Sequence, residues 1–139
     1  MAGLSLEILT PSKLAYSGNI KSVSVPGTNG SFQILFNHAP ILSTLEIGTI
    51  KIEVEDKTFS YFAASGGTIE VLNNKIRVLT DALEAFEDID LNRAKNALER
   101  AQKRLANKDS EKINVSRAEE ALARASNRIK LVEKYSVTH

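Results

Sequence analysis

The chain has 139 residues, of which 42% are hydrophobic and 25% charged, and its formal net charge is +1. This length suits one ordinary domain or a small domain with an appendage, and the near-neutral charge gives no general attraction to nucleic acid. Cysteine is absent, which excludes disulfides and cysteine-ligated zinc. No apolar run approaches the roughly 20 residues that cross a bilayer, and the first residues lack the features of a signal peptide, so we expect a cytosolic or cytosol-facing protein.

Residues 1–86 have the pattern of short strands separated by turns. Leu4, Leu6 and Ile8 alternate with polar neighbours, and similar runs recur up to about Thr80. Turns are predicted at Thr10-Pro11-Ser12, Pro26–Gly30 and Glu55-Asp56-Lys57, a strand break at Gly66-Gly67, and a hairpin at Asn73-Asn74. Strands with this spacing predict an antiparallel sandwich or barrel.

Residues 87–139 have the period of helices. Two apolar stripes, Ala94 to Leu105 and Val115 to Val132, recur at spacings of three and four and are separated by a polar break at 107–110. Asp88 or Asp90 can cap the first helix, and Asn114 or Ser110 the second. Two amphipathic helices joined by a short loop predict an antiparallel hairpin.

The two predicted helices resemble each other. A shift of 24 residues places Asp90 on Asn114, Arg93 on Arg117 and Ala94 on Ala118. Shared ancestry and the biased composition of alanine-rich helices both explain this match. A seam made mainly of alanine buries little area, which favours a weakly held hairpin that can open. A tight alanine coil, in which close approach compensates for the small side chains, is the alternative.

No constellation of residues points to catalysis or to a metal site. The chain has two histidines, and a lone His38 with scattered carboxylates does not make a metal site. No G-x-S-x-G frame and no P-loop are present. Asp88 and Asp90 are explained by a helix start, where negative charge is favourable. The sequence therefore predicts a protein that is not an enzyme by itself and has no catalytic or metal-binding residues.

A basic cluster in the helical half is the one chemically suggestive feature. Arg93 lies in the first turn of its helix, where the helix dipole disfavours a cation, and Arg100 lies two turns further along the same face. Arg124 and Arg128 lie one turn apart on the second helix. If the hairpin folds back, the four arginines can converge on an anion such as a polyphosphate. Alternatively, they are solvated and pair with neighbouring glutamates.

Several motifs in order resemble those of F-type ATP synthase epsilon subunits. The segment Pro26–Leu42 resembles the family's P-G-x-x-G…I-L…H-A-P stretch, although Gln33 and Phe36 stand where many members have Gly and Pro. A Leu45-x-x-Gly48 step and Ser65-Gly66-Gly67-x-x-Glu70-Val71 follow, and Glu84 to Ala94 resembles the entry to the family's helical hairpin. The resemblance covers the whole chain.

The resemblance implies an architecture and a role. It implies a β-sandwich of about ten short strands in residues 1–86, which contacts the stalk and the c-ring, followed by a mobile regulatory hairpin in residues 87–139. It implies a place on the rotating central stalk with three partners: the gamma subunit, the c-subunit ring and the catalytic alpha/beta head. The hairpin would inhibit ATP hydrolysis when extended. We expect peripheral attachment, through the complex only, at the cytoplasmic face of a bacterial inner membrane rather than the thylakoid.

The resemblance also implies two sites. No cofactor is required, but some members bind regulatory ATP on the folded hairpin through an Ile/Leu-Asp-x-x-Arg-Ala motif. The corresponding residues here are Glu84, Ile89, Asp90, Arg93, Ala94, Arg100, Arg124 and Arg128. A protein interface is expected at His38, Ala39, Pro40 and Ile41.

Two other functions are alternatives to a place in ATP synthase. A free-standing sandwich adaptor with a helical interaction arm would be a stable monomer without affinity for ATP synthase subunits. A hairpin that binds nucleic acid is disfavoured, because acidic residues interleave with the basic ones and the helices carry no aromatic residue except Tyr135 near the end.

Overall fold

A computed structural model describes residues 3–107 and 114–136 of the chain. The chain divides into two compact units with the border between Ala85 and Phe86. The described part of the first unit contains eight strands: β1 (Leu4–Leu9), β2 (Leu14–Ile20), β3 (Ser22–Val25), β4 (Phe32–Ile34), β5 (Ile41–Glu55), β6 (Thr58–Leu72), β7 (Lys75–Leu79) and β8 (Leu83–Ala85).

The strands form a sandwich through which the β5–β6 hairpin runs from one layer to the other. The strand order is β2-β1-β7-β6-β5-β3-β4, with β8 paired to β6. Within β6, residues 68–72 pair with β7, whereas residues 62–64 pair with β8. Strand β5 pairs with β6 along nearly its whole length, and only its second half also pairs with β3. The two long strands therefore belong to both layers.

The predicted sandwich is confirmed, with fewer and longer strands than expected. The apolar runs on either side of Gly66-Gly67, which predict separate strands, are merged in β6, and β5 runs through Gly48 without interruption. The predicted strand break at Gly66-Gly67 is therefore wrong. Both glycines have positive φ, 79° and 129°, and they bend β6 without ending it.

One ladder departs from the antiparallel pattern. Strands β1 and β7 run parallel, with Ser5 opposite Lys75 and Leu9 opposite Leu79, while the other ladders are antiparallel. The predicted turns hold at Asn73-Asn74 and at Lys57, which have positive φ. Phe36, which continues an alternating run in the sequence, lies outside β4 and is half exposed.

The core lies between the two layers and consists of branched aliphatic side chains. Alternation along each strand places these residues on the inner face, as the pattern of Leu4, Leu6 and Ile8 in β1 illustrates. The largest fully buried side chains all belong to this unit: Leu6, Ile8, Ile34, Ile50, Ile52, Ile69, Ile76, Val23, Val25, Val71 and Val78. Such burial stabilises a fold by about 1.5–3 kcal/mol for each large side chain, before entropy is counted.

The second unit is the predicted helical hairpin. A single 3-10 turn (Phe86–Asp88) precedes α1 (Leu91–Ala106), and α2 (Val115–Ser136) packs against α1. The buried residues of the two helices are Ala94, Ala101, Ala118, Ala125 and Leu131, so the alanine-rich seam is confirmed. The predicted break at 107–110 agrees with the end of α1 at Ala106, while residues 108–110, including the alternative cap Ser110, lie outside the described residues.

Candidate functional site

The Ile89–Ala94 motif forms the first turn of α1. Asp90 is the N-cap: its backbone is extended (φ −90°, ψ 108°) and its Oδ1 accepts a hydrogen bond from the backbone N–H of Arg93 at 3.1 Å. The cap satisfies one of the N–H groups that a helix start leaves open. Ala94 is buried in the seam, whereas the Arg93 side chain is exposed. The motif thus fixes the backbone and leaves the guanidinium accessible.

The same arrangement begins α2, which gives the sequence repeat a structural counterpart. Asn114 Oδ1 accepts a hydrogen bond from the backbone N–H of Arg117 at 3.1 Å, the distance found at Asp90. Ala118 is buried as Ala94 is. The caps predicted at Asp90 and Asn114 are therefore confirmed, and Arg117 is the counterpart of Arg93 at the other helix start. Ile113, the counterpart of Ile89, lies outside the described residues.

The helical geometry places the four predicted arginines on one side of the hairpin. The number of residues from Arg93 to the end of α1 at Ala106 equals the number from the start of α2 at Val115 to Arg128. In an antiparallel hairpin, Arg93 and Arg128 therefore lie at the same height along the helix axes. Arg100 and Arg124 differ in height by about one turn, roughly 5 Å.

The positions next to the seam decide which side the arginines occupy. Arg93, Arg100 and Arg124 each directly precede a buried alanine, and Arg128 follows buried Ala125 by three residues. On an α-helix, the position one residue before and the position three residues after a buried residue lie on the same side of it. In two antiparallel helices, these positions point to the same side of the seam. The arginines of the two helices therefore border one face, and Arg117 borders the same face at the opposite end.

The charged partners of these arginines differ. Arg124 is within 3.8 Å of Glu120 in an i,i+4 pair, and Arg128 has a polar or charged partner as well. In the described part of the chain, Arg93 and Arg100 form no ion pair. The first turn of α1 contains no acidic residue beyond the cap Asp90, so Arg93 is the charged side chain of that turn.

Glu84 is the one predicted site residue that lies in the other unit. It is part of β8, opposite Ala63 of β6, and is partly buried. Strand β8 has no signal in the sequence pattern, because its three residues are too few for a periodicity. The structure thus places the other seven predicted residues on the hairpin and Glu84 on the sandwich.

The predicted interface residues lie in the segment between β4 and β5. The His38 backbone N–H donates to the Leu35 carbonyl at 3.2 Å, and His38 Nδ1 donates to the Ala39 carbonyl at 2.6 Å. Ala39 and Pro40 are exposed, while Ile41 is half-buried and opens β5 opposite Val71. The histidine ring is therefore held by its own loop.

This end of the sandwich also exposes four large apolar side chains that the sequence analysis missed. Leu42 is 75% exposed, and Leu35, Phe36 and Leu72 are each about half exposed. Leu42 lies opposite Glu70, so Leu72 is its diagonal neighbour on the same face. The alternation of inward and outward side chains could have revealed them. Ile41 and Val71 face inward, so the next residues, Leu42 and Leu72, face outward, where polar residues are expected. We call Leu35, Phe36, Leu42 and Leu72 the apolar end.

Other site types find no support in the described residues. Across residues 3–107 and 114–136, no group of three or more His, Cys, Asp or Glu side chains is placed to hold a metal ion. Neither described helix combines the length and the hydropathy that a membrane span requires.

Comparison with known proteins shows one family across both units. Residues 3–86 match the family described as "ATP synthase, Delta/Epsilon chain, beta-sandwich domain", and residues 87–133 match the corresponding "long alpha-helix domain". The ATP synthase epsilon chain of the bacterium Desulforamulus reducens is 46% identical over 128 residues, 92% of this chain and 96% of that one. The epsilon chain of Pelotomaculum thermopropionicum is 45% identical over 103 residues, 74% and 76% of the two chains.

Solved structures share the fold. A chain of the Euglena gracilis mitochondrial ATP synthase matches with a TM-score of 0.69 and 18% identity, covering 100% of this chain and 83% of that one. A chain of the Tetrahymena thermophila mitochondrial ATP synthase, from its central stalk and c-ring, matches with a TM-score of 0.59 and 14% identity, covering 97% of each chain. The chain therefore belongs to the ATP synthase delta/epsilon chain family, which confirms the resemblance read from its sequence.

Proposed function

We propose that the chain is the epsilon-type subunit of a rotating ATP synthase stalk, where it couples transmembrane ion flow to ATP synthesis and restrains ATP hydrolysis. The observation that carries this proposal is the family match, which spans the sandwich and the hairpin in their family order. The subunit is non-catalytic, and its action is mechanical: it binds the gamma subunit, the c-subunit ring and the alpha/beta head. The bacterial relatives support a membrane-associated complex, and we place the subunit at its cytoplasmic face.

The first experiment adds the chain back to a catalytic head from the same source that lacks this subunit. ATP hydrolysis is measured with the full chain and with a version cut after Phe86, at matched concentrations. We expect inhibition by the full chain only, since the hairpin is the regulatory part. Equal inhibition by both versions would move control to the sandwich. No binding of either version would overturn the proposal in favour of a free-standing adaptor.

For the hairpin, we propose that ATP binds the arginine-bordered face and favours the folded hairpin. The support is the exposed Arg93 in the first turn of α1, with Arg100, Arg124 and Arg128 on the same side of the seam. Guanidinium groups bind phosphate oxygens through two parallel hydrogen bonds, which suits a polyphosphate. ATP shifts the hairpin only by its difference in affinity for the two states.

The internal repeat supplies a matched control for this site. Arg93→Ala and Arg117→Ala remove the same side chain from equivalent, exposed positions in the first turn of each helix. Titration of the full chain with ATP to millimolar concentration, followed by nuclear magnetic resonance of the hairpin amides, should show an ATP-induced change in the native chain and in Arg117→Ala. The change should be lost in Arg93→Ala. No response of the native chain would refute the site.

For the sandwich, we propose that the apolar end and the His38–Ile41 segment contact the c-subunit ring. Exposed apolar side chains in one patch are typical of an interaction surface, and the core of a stable interface is richer in them than the rim. Leu42→Gln should weaken binding of the full chain to membranes that contain the c-ring and lack this subunit. Leu14→Gln is the control, because Leu14 is also an exposed leucine, on β2 and outside the apolar end. Equal binding by both variants would contradict this contact.

A further inference from the structure

We propose that Asn37 and Asn74 form a clasp that positions the apolar end for binding. The Asn37 backbone N–H donates to Asn74 Oδ1 at 2.6 Å, and Asn74 Nδ2 donates back to Asn37 Oδ1 at 3.1 Å. The two residues are 37 positions apart, so this reciprocal pair ties the β4–β5 segment to the β6–β7 turn. The inference rests on the c-ring contact proposed above and adds the residues that hold its surface in place.

The backbone at both ends of the clasp is unusual in the same way. Asn37 and Asn74 have φ values of 64° and 63°, in the left-handed region that asparagine tolerates better than most residues with a side chain. Glycine would satisfy these backbone angles equally well, but it would leave no amide for the reciprocal hydrogen bonds. The turns themselves therefore do not need the side chains of Asn37 and Asn74, whose contribution is the pair of hydrogen bonds between the two segments.

The clasp is anchored in the sheet on the Asn74 side. The Asn74 carbonyl accepts a hydrogen bond from the Ser5 backbone N–H at 3.0 Å, at the start of the parallel β1–β7 ladder. On the Asn37 side, residues 35–40 connect two strands, and the described backbone hydrogen bond within this segment runs from His38 to Leu35. Among the residues that the structure describes, no backbone–backbone hydrogen bond joins residues 35–40 to the β6–β7 turn.

The clasp lies among the residues of the apolar end. Leu35 and Phe36 directly precede Asn37, and Leu72 lies two residues before Asn74. Holding both segments together keeps these side chains in one patch before a partner arrives. Pre-ordering a surface in this way lowers the entropy that binding must overcome, so the clasp strengthens binding without itself touching the partner.

The experiment compares Asn74→Gly with Asn73→Gly in the full chain. Asn73 is in the same turn with φ 52°, and in the described part of the chain its side chain has no hydrogen bond. Both changes put glycine into the turn, but only Asn74→Gly removes the clasp. Each variant is titrated into membranes that hold the ATP synthase and lack this subunit, and the half-saturating concentration is measured.

We expect Asn74→Gly to raise the half-saturating concentration about fivefold to tenfold, and Asn73→Gly to leave it within about twofold. Asn74→Asp should restore binding, because a flipped Asn37 amide can donate to the carboxylate. Adding Asn37→Gly to Asn74→Gly should not raise the half-saturating concentration further, since Asn74→Gly alone already removes the contact. If Asn74→Gly lowers the unfolding temperature but binds as the native chain does, the pair is structural only and the clasp proposal is overturned.

Leu42→Gln separates failure of the clasp from failure of the interface. Impaired binding by Leu42→Gln with native binding by Asn74→Gly would refute the clasp alone. Native binding by both variants would refute the proposed contact of the apolar end, and the clasp proposal with it.

Discussion

Two glycines of the sandwich have nearly the same backbone angle and very different surroundings. Gly30 has φ 125° and Gly67 has φ 129°, where a side chain is strained. A Cβ on Gly30 would meet open space, whereas one on Gly67 would clash with the backbone carbonyl of Leu79 and lie 3.0 Å from Thr80 Cα. The backbones of β6 and β7 thus approach as closely as they do because Gly67 has no side chain.

We predict that Gly67→Ala destabilises the sandwich more than Gly30→Ala does. Strain in the left-handed region alone costs of order 1–3 kcal/mol, which both variants share. Displacing the backbone at Leu79 should add about 1–3 kcal/mol in Gly67→Ala only. Urea unfolding measures both costs, and equal free energies of unfolding for the two variants would show that the close approach carries no penalty.

An exposed ion pair between Lys21 and Asp56 gives a prediction about pH. Their 2.6 Å hydrogen bond lowers the pKa of the Asp56 carboxyl below its usual 3.8 and raises the pKa of Lys21 above its usual 10.5. The Asp56 contribution to stability is therefore present above pH 3.8 and is lost as the pH falls through the lowered pKa. The Lys21 contribution is present below pH 10.5 and is lost as the pH rises through the raised pKa.

Asp56→Asn should therefore lower the unfolding temperature slightly and by a constant amount between these limits. The difference from the native chain should vanish in strong acid and shrink with added salt, because both side chains are exposed. Unfolding scans across pH test this expectation. A difference that persists unchanged in strong acid would mean that the pair does not account for it.

At the residue scale, the sequence predicts turns and helix caps, which depend on neighbouring residues, and misses contacts between residues that are far apart in the chain. The Asn73-Asn74 turn is predictable because asparagine tolerates positive φ, and the Asp90 cap is predictable because it precedes an apolar helical stripe. The partner of the Asn74 side chain is not predictable, since Asn37 belongs to a different loop and no local pattern joins them. The arginines of the candidate site could be named from spacing and resemblance, but their shared side of the seam required the buried alanines.

Among the elements, the two helix starts offer a symmetric prediction. Asp90→Ala and Asn114→Ala each remove one side-chain hydrogen bond of 3.1 Å to a backbone N–H in the first turn. Each should lower the stability of the hairpin by about 1 kcal/mol, the usual worth of an N-cap. Hydrogen exchange of the α1 and α2 amides measures the loss. Asn114→Ser should restore most of it, whereas a loss confined to Asp90→Ala would show that the two starts are not equivalent.

Element boundaries were predicted well where a polar turn intervenes and poorly where a glycine does. Strand β5 ends at Glu55, directly before the tight turn that contains Lys57, as the sequence indicates. Gly66 and Gly67 look like a break in sequence, yet the β5–β6 pairing continues on both sides because β5 accompanies β6 through the bend. Glycine therefore signals a change of direction, and only the partner strand decides whether the strand ends there.

For the whole molecule, the contrast between the two cores predicts two separate unfolding events. The sandwich buries eleven large aliphatic side chains completely, whereas four of the five buried residues in the described hairpin are alanines. At about 25 cal/mol per Å² of apolar area, the hairpin gains far less from burial. The chain cut after Phe86 should keep the unfolding temperature of the sandwich within a few degrees, and in the full chain the helical circular dichroism should melt first. Simultaneous loss of helix and sheet signals would contradict this prediction.

The parallel pairing of β1 with β7 has a consequence for how the chain is made. Strand β1 lies between β2 and β7, and its partner residues in β7 are Lys75 to Leu79. Strand β1 is synthesised before β2 to β8, so its second edge stays uncovered until β7 has been made. Contacts this distant in sequence are slow to form, whereas the helical hairpin depends on neighbours. The unit that is synthesised first is thus the later one to close, and until then β1 offers an open edge to other chains.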